Sequence, residues 1–184
     1  MSSGQKWSDV AKQGPKNHFL LNNKDISQTG YLAKIGFNML LGSYSAKIDE
    51  KSRLRLPAKF RRDMPDTDDH TYYVTSDDGR CAQIYPLSIW ERIARKLQEP
   101  PRMDPAKLKL QRFTSYYGLL TQMDPQGRIL MPQSLREDAQ ISGDVIVIGK
   151  TDHLEVWNNE VFRKSLMENP LTVEEREKLA EQGF

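Results

Sequence analysis

The chain has 184 residues, of which 28% are charged and 38% apolar, and its formal net charge is +2. This composition excludes a chain disordered throughout, and no apolar run approaches the length that spans a bilayer. Cys81 is the only cysteine, which excludes an internal disulfide and a four-cysteine metal site. The N-terminus lacks the charged start, apolar stretch and small-residue site of a secretory signal, so the expected location is the cytoplasm.

Residues 1–38 scatter Lys, Asn, Gln and Gly without helical or alternating period. They are expected to be unstructured, either as a flexible extension or as sequence upstream of a true start at Met39. From Leu40 the pattern becomes regular. Ser43 to Ile48 reads as a strand, and Asp49 to Ser52 as a turn whose Asp can bond its own downstream backbone. Arg53 to Leu56 alternates, turning Leu54 and Leu56 inward and Arg53 and Arg55 to the other face. Pro57 suits the first turn of a short helix over Ala58 to Arg62. An acidic loop, Asp63 to Asp69, leads to strands at Tyr72 to Thr75 and Cys81 to Tyr85 around an Asp77–Arg80 hairpin turn. Ser88-Ile89-Trp90-Glu91 fits a capping box opening a helix to about Gln98, and Asp104-Pro105 starts another to about Tyr117. Two further strands follow at Val145 to Ile148 and Leu154 to Trp157. Thr172 to Glu175 forms a second capping box for a closing helix.

One pattern organises these elements. Asp-x-x-[Ser/Gly]-Arg-apolar-x-apolar-Pro occurs at Asp49–Pro57 and again at Asp124–Pro132, at a constant shift of 75 residues. The match continues with Phe60 opposite Leu135 and Arg61 opposite Arg136. Tyr85 aligns with Trp157 at a shift of 72, the difference falling in unequal turns. The chain therefore divides into an extension (1–38), a first repeat (43–86), linking helices (87–117), a second repeat (118–162) and a C-terminal helix (163–184). Each repeat has four short strands, a poor core on its own, so the copies are expected to pack or interlock.

Charge separates the copies. Lys47 to Arg62 carries seven basic residues against Asp49 and Glu50, or +5, whereas Thr121 to Arg136 has Arg128 and Arg136 against Asp124, or +1. Long basic side chains at a turn tip and on a strand can enter a DNA groove, with Arg pairing to a guanine edge and Lys neutralising phosphates.

From Met39 to about Phe162 the sequence resembles the MraZ family of two-repeat AbrB/SpoVT-type swapped-hairpin proteins. The markers are Leu40-Leu41-Gly42, the two Asp-x-x-x-Arg turns, Pro57-Ala58-Lys59-Phe60-Arg61, Ile84-Tyr85-Pro86 through Trp90, and Leu154-Glu155-Val156-Trp157. The resemblance implies an α+β fold of two swapped-hairpin repeats forming a small β-barrel. It also implies a nucleoid-associated regulator of bacterial division and cell-wall genes. Such a protein would bind short direct repeats near its own promoter as a ring-like homo-oligomer, with no membrane partner. The DNA-binding residues it suggests are Lys51, Arg53 and Arg128, to which the charge pattern adds Arg55. The first repeat is expected to supply most of the DNA contact. The family pattern has Gly before the motif Arg, as at Gly127, but the first repeat has Ser52. Either that turn differs in shape, or Ser52 is held in a conformation that suits glycine.

The aromatics Tyr85, Trp90, Phe113, Tyr116, Tyr117 and Trp157 are expected mainly in the core rather than as base-stacking platforms. Cys81, His70 and His153 lack an oxyanion loop or metal-ligand spacing, so no catalytic residue, metal or cofactor is expected. An antitoxin-like or structural oligomer acting through a protein partner is the alternative function.

Overall fold

The computed structural model describes residues 39–64 and 70–184. The expectations for residues 1–38 and for the middle of the acidic loop lie outside the described residues. The first repeat contains β1 (Ser43–Lys47), β2 (Arg53–Arg55), α1 (Ala58–Asp63), β3 (Thr71–Thr75) and β4 (Ala82–Pro86). Helices α2 (Leu87–Gln98) and α3 (Pro105–Tyr116) link it to the second repeat. That repeat contains β5 (Leu119–Gln122), β6 (Arg128–Leu130), α4 (Gln133–Asp138), β7 (Asp144–Gly149) and β8 (Leu154–Asn158), and α5 (Asn159–Glu168) and α6 (Val173–Glu181) follow.

The fold is α+β, and its repeats are interleaved rather than side by side. A six-stranded antiparallel sheet runs β1-β7-β8-β4-β3-β5, and β2 and β6 form a separate two-stranded ribbon. Each outer strand of the sheet thus pairs with a strand of the other repeat: β1 with β7, and β5 with β3. The ribbon is centred on Leu54 opposite Ile129, two residues related by the shift of 75. Gln83 opposite Glu155 sits at the middle of the β4–β8 pairing and is related by the shift of 72. A pseudo-two-fold axis therefore passes through both pairs, and the two sequence shifts are its signature. No strand pairing among the described residues closes the sheet on itself.

Alternation explains the core. Leu54 and Ile129 are fully buried, as are Leu56, Met131, Phe60 and Leu135 from the strand-to-helix segments of both repeats. Ile84, Val74, Val147, Leu154 and Val156 face them from the sheet. Each such side chain contributes roughly 1.5–3 kcal/mol on removal from water. Neither repeat owns this cluster, which is why four short strands per copy suffice.

Local chemistry differs from expectation at three places. Helix α2 begins at Leu87 behind Pro86, with no side-chain cap. Pro86 takes extended angles and starts the helix early, so Ser88 falls inside the first turn and the expected capping box does not form. Pro57 likewise flanks α1 rather than opening it. Tyr116 is 68% exposed rather than a core residue, because it sits on the solvent side of α3 and rests edge-on against Tyr117. By contrast, the Thr172 capping box is present, with Glu175 N–H donating to Thr172 Oγ1 (3.2 Å) and Thr172 N–H to Glu175 Oε2 (2.8 Å). Asp104 caps α3 by accepting from the backbone of Ala106 and Lys107.

Candidate nucleic-acid interface

The two Asp-x-x-x-Arg turns have the same construction. In the first, Ser52 N–H donates to the Asp49 carbonyl (2.9 Å), and Asp49 Oδ1 accepts from the backbone of Lys51 and Arg53, both at 2.9 Å. In the second, Gly127 N–H donates to the Asp124 carbonyl (2.8 Å), and Asp124 Oδ1 accepts from Gln126 (2.9 Å) and Arg128 (3.0 Å). The residue before each Arg is left-handed, at φ 64° for Ser52 and 76° for Gly127. The first turn has therefore not changed shape. Ser52 is held in a conformation that disfavours any side chain with a Cβ. Each turn is clamped by the opposite repeat, since Met131 N–H donates to the Ser52 carbonyl and Leu56 N–H to the Gly127 carbonyl, both at 3.0 Å.

Ribbon pairing brings the two turns together. Arg53 lies opposite Leu130 and Arg55 opposite Arg128, so all four side chains share the face turned away from Leu54 and Ile129. At its centre the two motif arginines and two aspartates close a ring of charge. Arg53 binds Asp49 Oδ2 through Nε (2.9 Å) and Nη2 (2.7 Å) and approaches Asp124 at 3.8 Å. Arg128 binds Asp124 Oδ2 through Nε at 2.7 Å and approaches Asp49 at 3.9 Å. The hydrogen bond from the Arg53 side chain holds the Asp49 carboxyl below its ordinary range, against a smaller upward pull from desolvation. At Asp124 desolvation pulls upward, but hydrogen bonds from the Arg128 side chain and the turn backbone outweigh it and leave the carboxyl lowered.

The predicted site residues therefore divide in two. Arg53 and Arg128 keep only 26% and 23% of their side chains exposed and spend their guanidinium groups on the aspartates. Lys51 at the turn tip and Arg55 on the strand are exposed. The same places in the second repeat hold Gln126 and Leu130, the latter 44% exposed. The antiparallel register sets each uncharged residue beside a basic one: Leu130 lies at the Lys51 end of the ribbon, and the turn of Gln126 lies at the Arg55 end.

Arg61 and Arg136 align at the shift of 75, with no role evident from the sequence. In the structure the Nε of each is buried without a hydrogen-bond partner. The Arg61 side chain also lies over the opposite turn, where a Cβ added to Gly127 would meet its guanidinium. Retention of Arg at both positions was the signal that could have marked them. The sequence marks Asp49 and Asp124 as turn formers, and their ionic role needs the fold.

Cys81 is buried, and desolvation pushes its thiol well up, with Glu155 adding to the effect. No group of three or more His, Cys, Asp or Glu suited to a metal occurs among the described residues. No helix among them is long and apolar enough to cross a membrane.

Comparison with known proteins decides the lineage of this double turn. The family model described as "MraZ protein, putative antitoxin-like" matches residues 39–113 and 120–181, one turn in each segment. The chain belongs to the MraZ family. Among its relatives is the transcriptional regulator MraZ of Acidobacterium capsulatum, 46% identical over 146 residues that cover 79% of this chain and 100% of the relative. The transcriptional regulator MraZ of Koribacter versatilis is 39% identical over 147 residues, again 79% of this chain and 100% of the relative. A third, from a Marinomonas species, is 37% identical over 123 residues, or 66% of this chain and 82% of that one. The MraZ likeness thus spans both repeats and the helices between and after them.

Proposed function

We infer that the protein is a sequence-specific DNA-binding transcriptional regulator without catalytic activity, acting on a bacterial division and cell-wall gene cluster. It binds short direct repeats near its own promoter through the paired turns of a ring-like homo-oligomer, in the cytoplasm at the nucleoid. The observation that carries this reading is the ribbon face, which the two turns flank and from which Lys51 and Arg55 extend, one at each end. The relatives' name, transcriptional regulator, supports it.

Within that reading the four basic residues divide their work. Lys51 and Arg55 reach the DNA, Lys toward phosphate and Arg toward a base edge. Arg53 and Arg128 hold the turns at the spacing those contacts require, and either can meet a phosphate only by loosening its aspartate. Most DNA contact then comes from the first repeat. One chain makes few contacts, and repetition in an oligomer on repeated sites raises their combined strength.

The test is DNA affinity as a function of salt for full-length Lys51→Ala, Arg55→Ala, Gln126→Ala and Leu130→Ala on the upstream region of the protein's own gene. The Lys51 change is expected to reduce the salt slope by about 1. The Arg55 change is expected to weaken specific binding by roughly 1–3 kcal/mol, and the second-repeat changes to do little. Equal losses from both repeats would refute the division, and absence of salt-dependent binding to any direct repeat would refute the DNA reading.

A further inference from the structure

The duplication extends past the strands. α2 follows β4 as α5 follows β8, and both helices turn equivalent rings onto the sheet. Trp90 stacks on Tyr73 at 4.3 Å and leans on Tyr85 at 5.6 Å, while Phe162, its counterpart at the shift of 72, leans on Trp157 at 5.4 Å. The next helix breaks the symmetry. α3 lies against β3, where the Thr114 carbonyl accepts from Thr75 Oγ1 (2.8 Å) and Tyr73 OH (3.1 Å). α6 holds the same place in chain order, yet Leu179 is its one half-buried residue and all the others are exposed.

Strand register identifies the face that α6 leaves uncovered. Tyr73 pairs with Leu120 on β5 as Ile146 pairs with Ser45 on β1, and Leu120 is the counterpart of Ser45 at the shift of 75. Ile146 is therefore the counterpart of Tyr73, and Ile148, two residues on along the same face, that of Thr75. Both isoleucines remain half-exposed. Where the first repeat offers two hydroxyls to α3, the second offers two aliphatic side chains.

α6 has the matching chemistry. Val173 and Ala180 recur at helical spacing along one side, and Phe184 follows just past the helix end, with Val173 68% and Phe184 87% exposed. The helix also carries Glu174, Glu175, Glu177 and Glu181 against Arg176 and Lys178. Beside the vacant face, at Ser45 and Lys47, lies a cleft of about 470 Å³ whose charged lining is Lys47, Arg55, Arg61 and Asp144. Basic cleft and acidic helix are complementary. The tether differs too. α3 is reached through Glu99–Asp104, whereas α6 hangs on the shorter Asn169–Thr172. A helix of 9 residues has little stability without a packed side.

We propose that α6 of a second copy of this chain docks across the outer face of β7 and β1. Its apolar side rests on Ile146 and Ile148, and its glutamates point toward Lys47 and Arg61. This rests on the oligomer part of the function proposed above and specifies which surfaces meet. Such an exchange is heterologous, so it passes from copy to copy until a ring closes.

Complementation between two full-length variants tests it. Val173→Asp with Phe184→Asp spoils the donor helix at exposed positions, and Ser45→Glu spoils the acceptor face at another. Mass is measured by light scattering without DNA, with circular dichroism confirming the fold. Each variant alone is expected to lose oligomer mass, its self-association weakened about tenfold or more. An equimolar mixture is expected to form a pair, because one intact donor and one intact acceptor remain. An oligomer unaffected by both variants would overturn the proposal while leaving the ring intact. Two monomeric variants that fail to associate on mixing would also overturn it. A monomeric parent chain would overturn the oligomer reading itself, and loss of DNA binding alone would leave the mass result standing.

Discussion

Replacing Ser52 with glycine should stabilise the protein. The turn it occupies is matched bond for bond by the turn at Gly127, and its φ of 64° lies in the left-handed region. That conformation costs a residue with a Cβ about 1–2 kcal/mol, while glycine gives back about 0.5–1 kcal/mol through the greater freedom of its unfolded chain. The backbone bonds from Ser52 to Asp49 and from Met131 to Ser52 use main-chain atoms and survive the change. A net gain of roughly 0.5–1 kcal/mol follows, or about 1–4 °C in Tm for a chain of this size. The reverse change, Gly127→Ser, meets the same backbone cost and must also displace the Arg61 guanidinium that lies over the turn. It should lose about 1–2 kcal/mol. Urea unfolding of both variants at one fixed protein concentration measures the pair, since any assembly makes stability concentration-dependent. DNA affinity of Ser52→Gly should stay within about twofold of the parent, because Lys51 and Arg55 keep their positions. Ser52→Gly no more stable than the parent, or a neutral Gly127→Ser, would refute the strain argument.

Other consequences are equally direct. Arg53→Ala and Arg128→Ala should lower Tm by similar amounts, roughly 2–4 °C, and the double variant by less than the sum, because both belong to one ring of charge; unequal or additive effects would show that the ring does not act as a unit. Asp49 and Asp124 have carboxyls depressed in the folded state, so between the folded and unfolded values the unfolded chain binds more protons. Their contribution is complete above the ordinary value of about 3.9 and is lost as pH falls through the lower folded values. Acid unfolding of the Asp49→Asn/Asp124→Asn variant should therefore depend less on pH below about 4 than that of the parent. Tyr117 donates to Asp138 at 2.7 Å, and this bond, with some desolvation, raises its phenol to about 12. Its contribution is complete below the ordinary phenol value of about 10 and is lost as pH rises from there through about 12. Burial also raises Tyr73 and Tyr85, so an ultraviolet titration should show several late-ionising tyrosines, one fewer in Tyr117→Phe. Leu54→Ala and Ile129→Ala, at the fully buried centre of the ribbon, should each cost about 2–5 kcal/mol.

Much of this protein follows from the chain alone. The shifts of 75 and 72 established a duplicated unit, alternation put Leu54 and Leu56 inside, and the turn residues placed both Asp-x-x-x-Arg loops, because each depends on neighbours a few residues away. The count of charges also showed one copy to be more basic than the other. What the chain could not express is who pairs with whom. β1 finds β7, and Arg53 finds Asp124 beside its own Asp49, because the repeats interleave around an axis that local propensity does not encode. The same limit explains the motif arginines. Sequence registers a positive charge at a turn but not the opposite charge folded against it from more than seventy residues away. Only the tertiary structure therefore separated Arg53 and Arg128, held in the ring, from Lys51 and Arg55, which stand free.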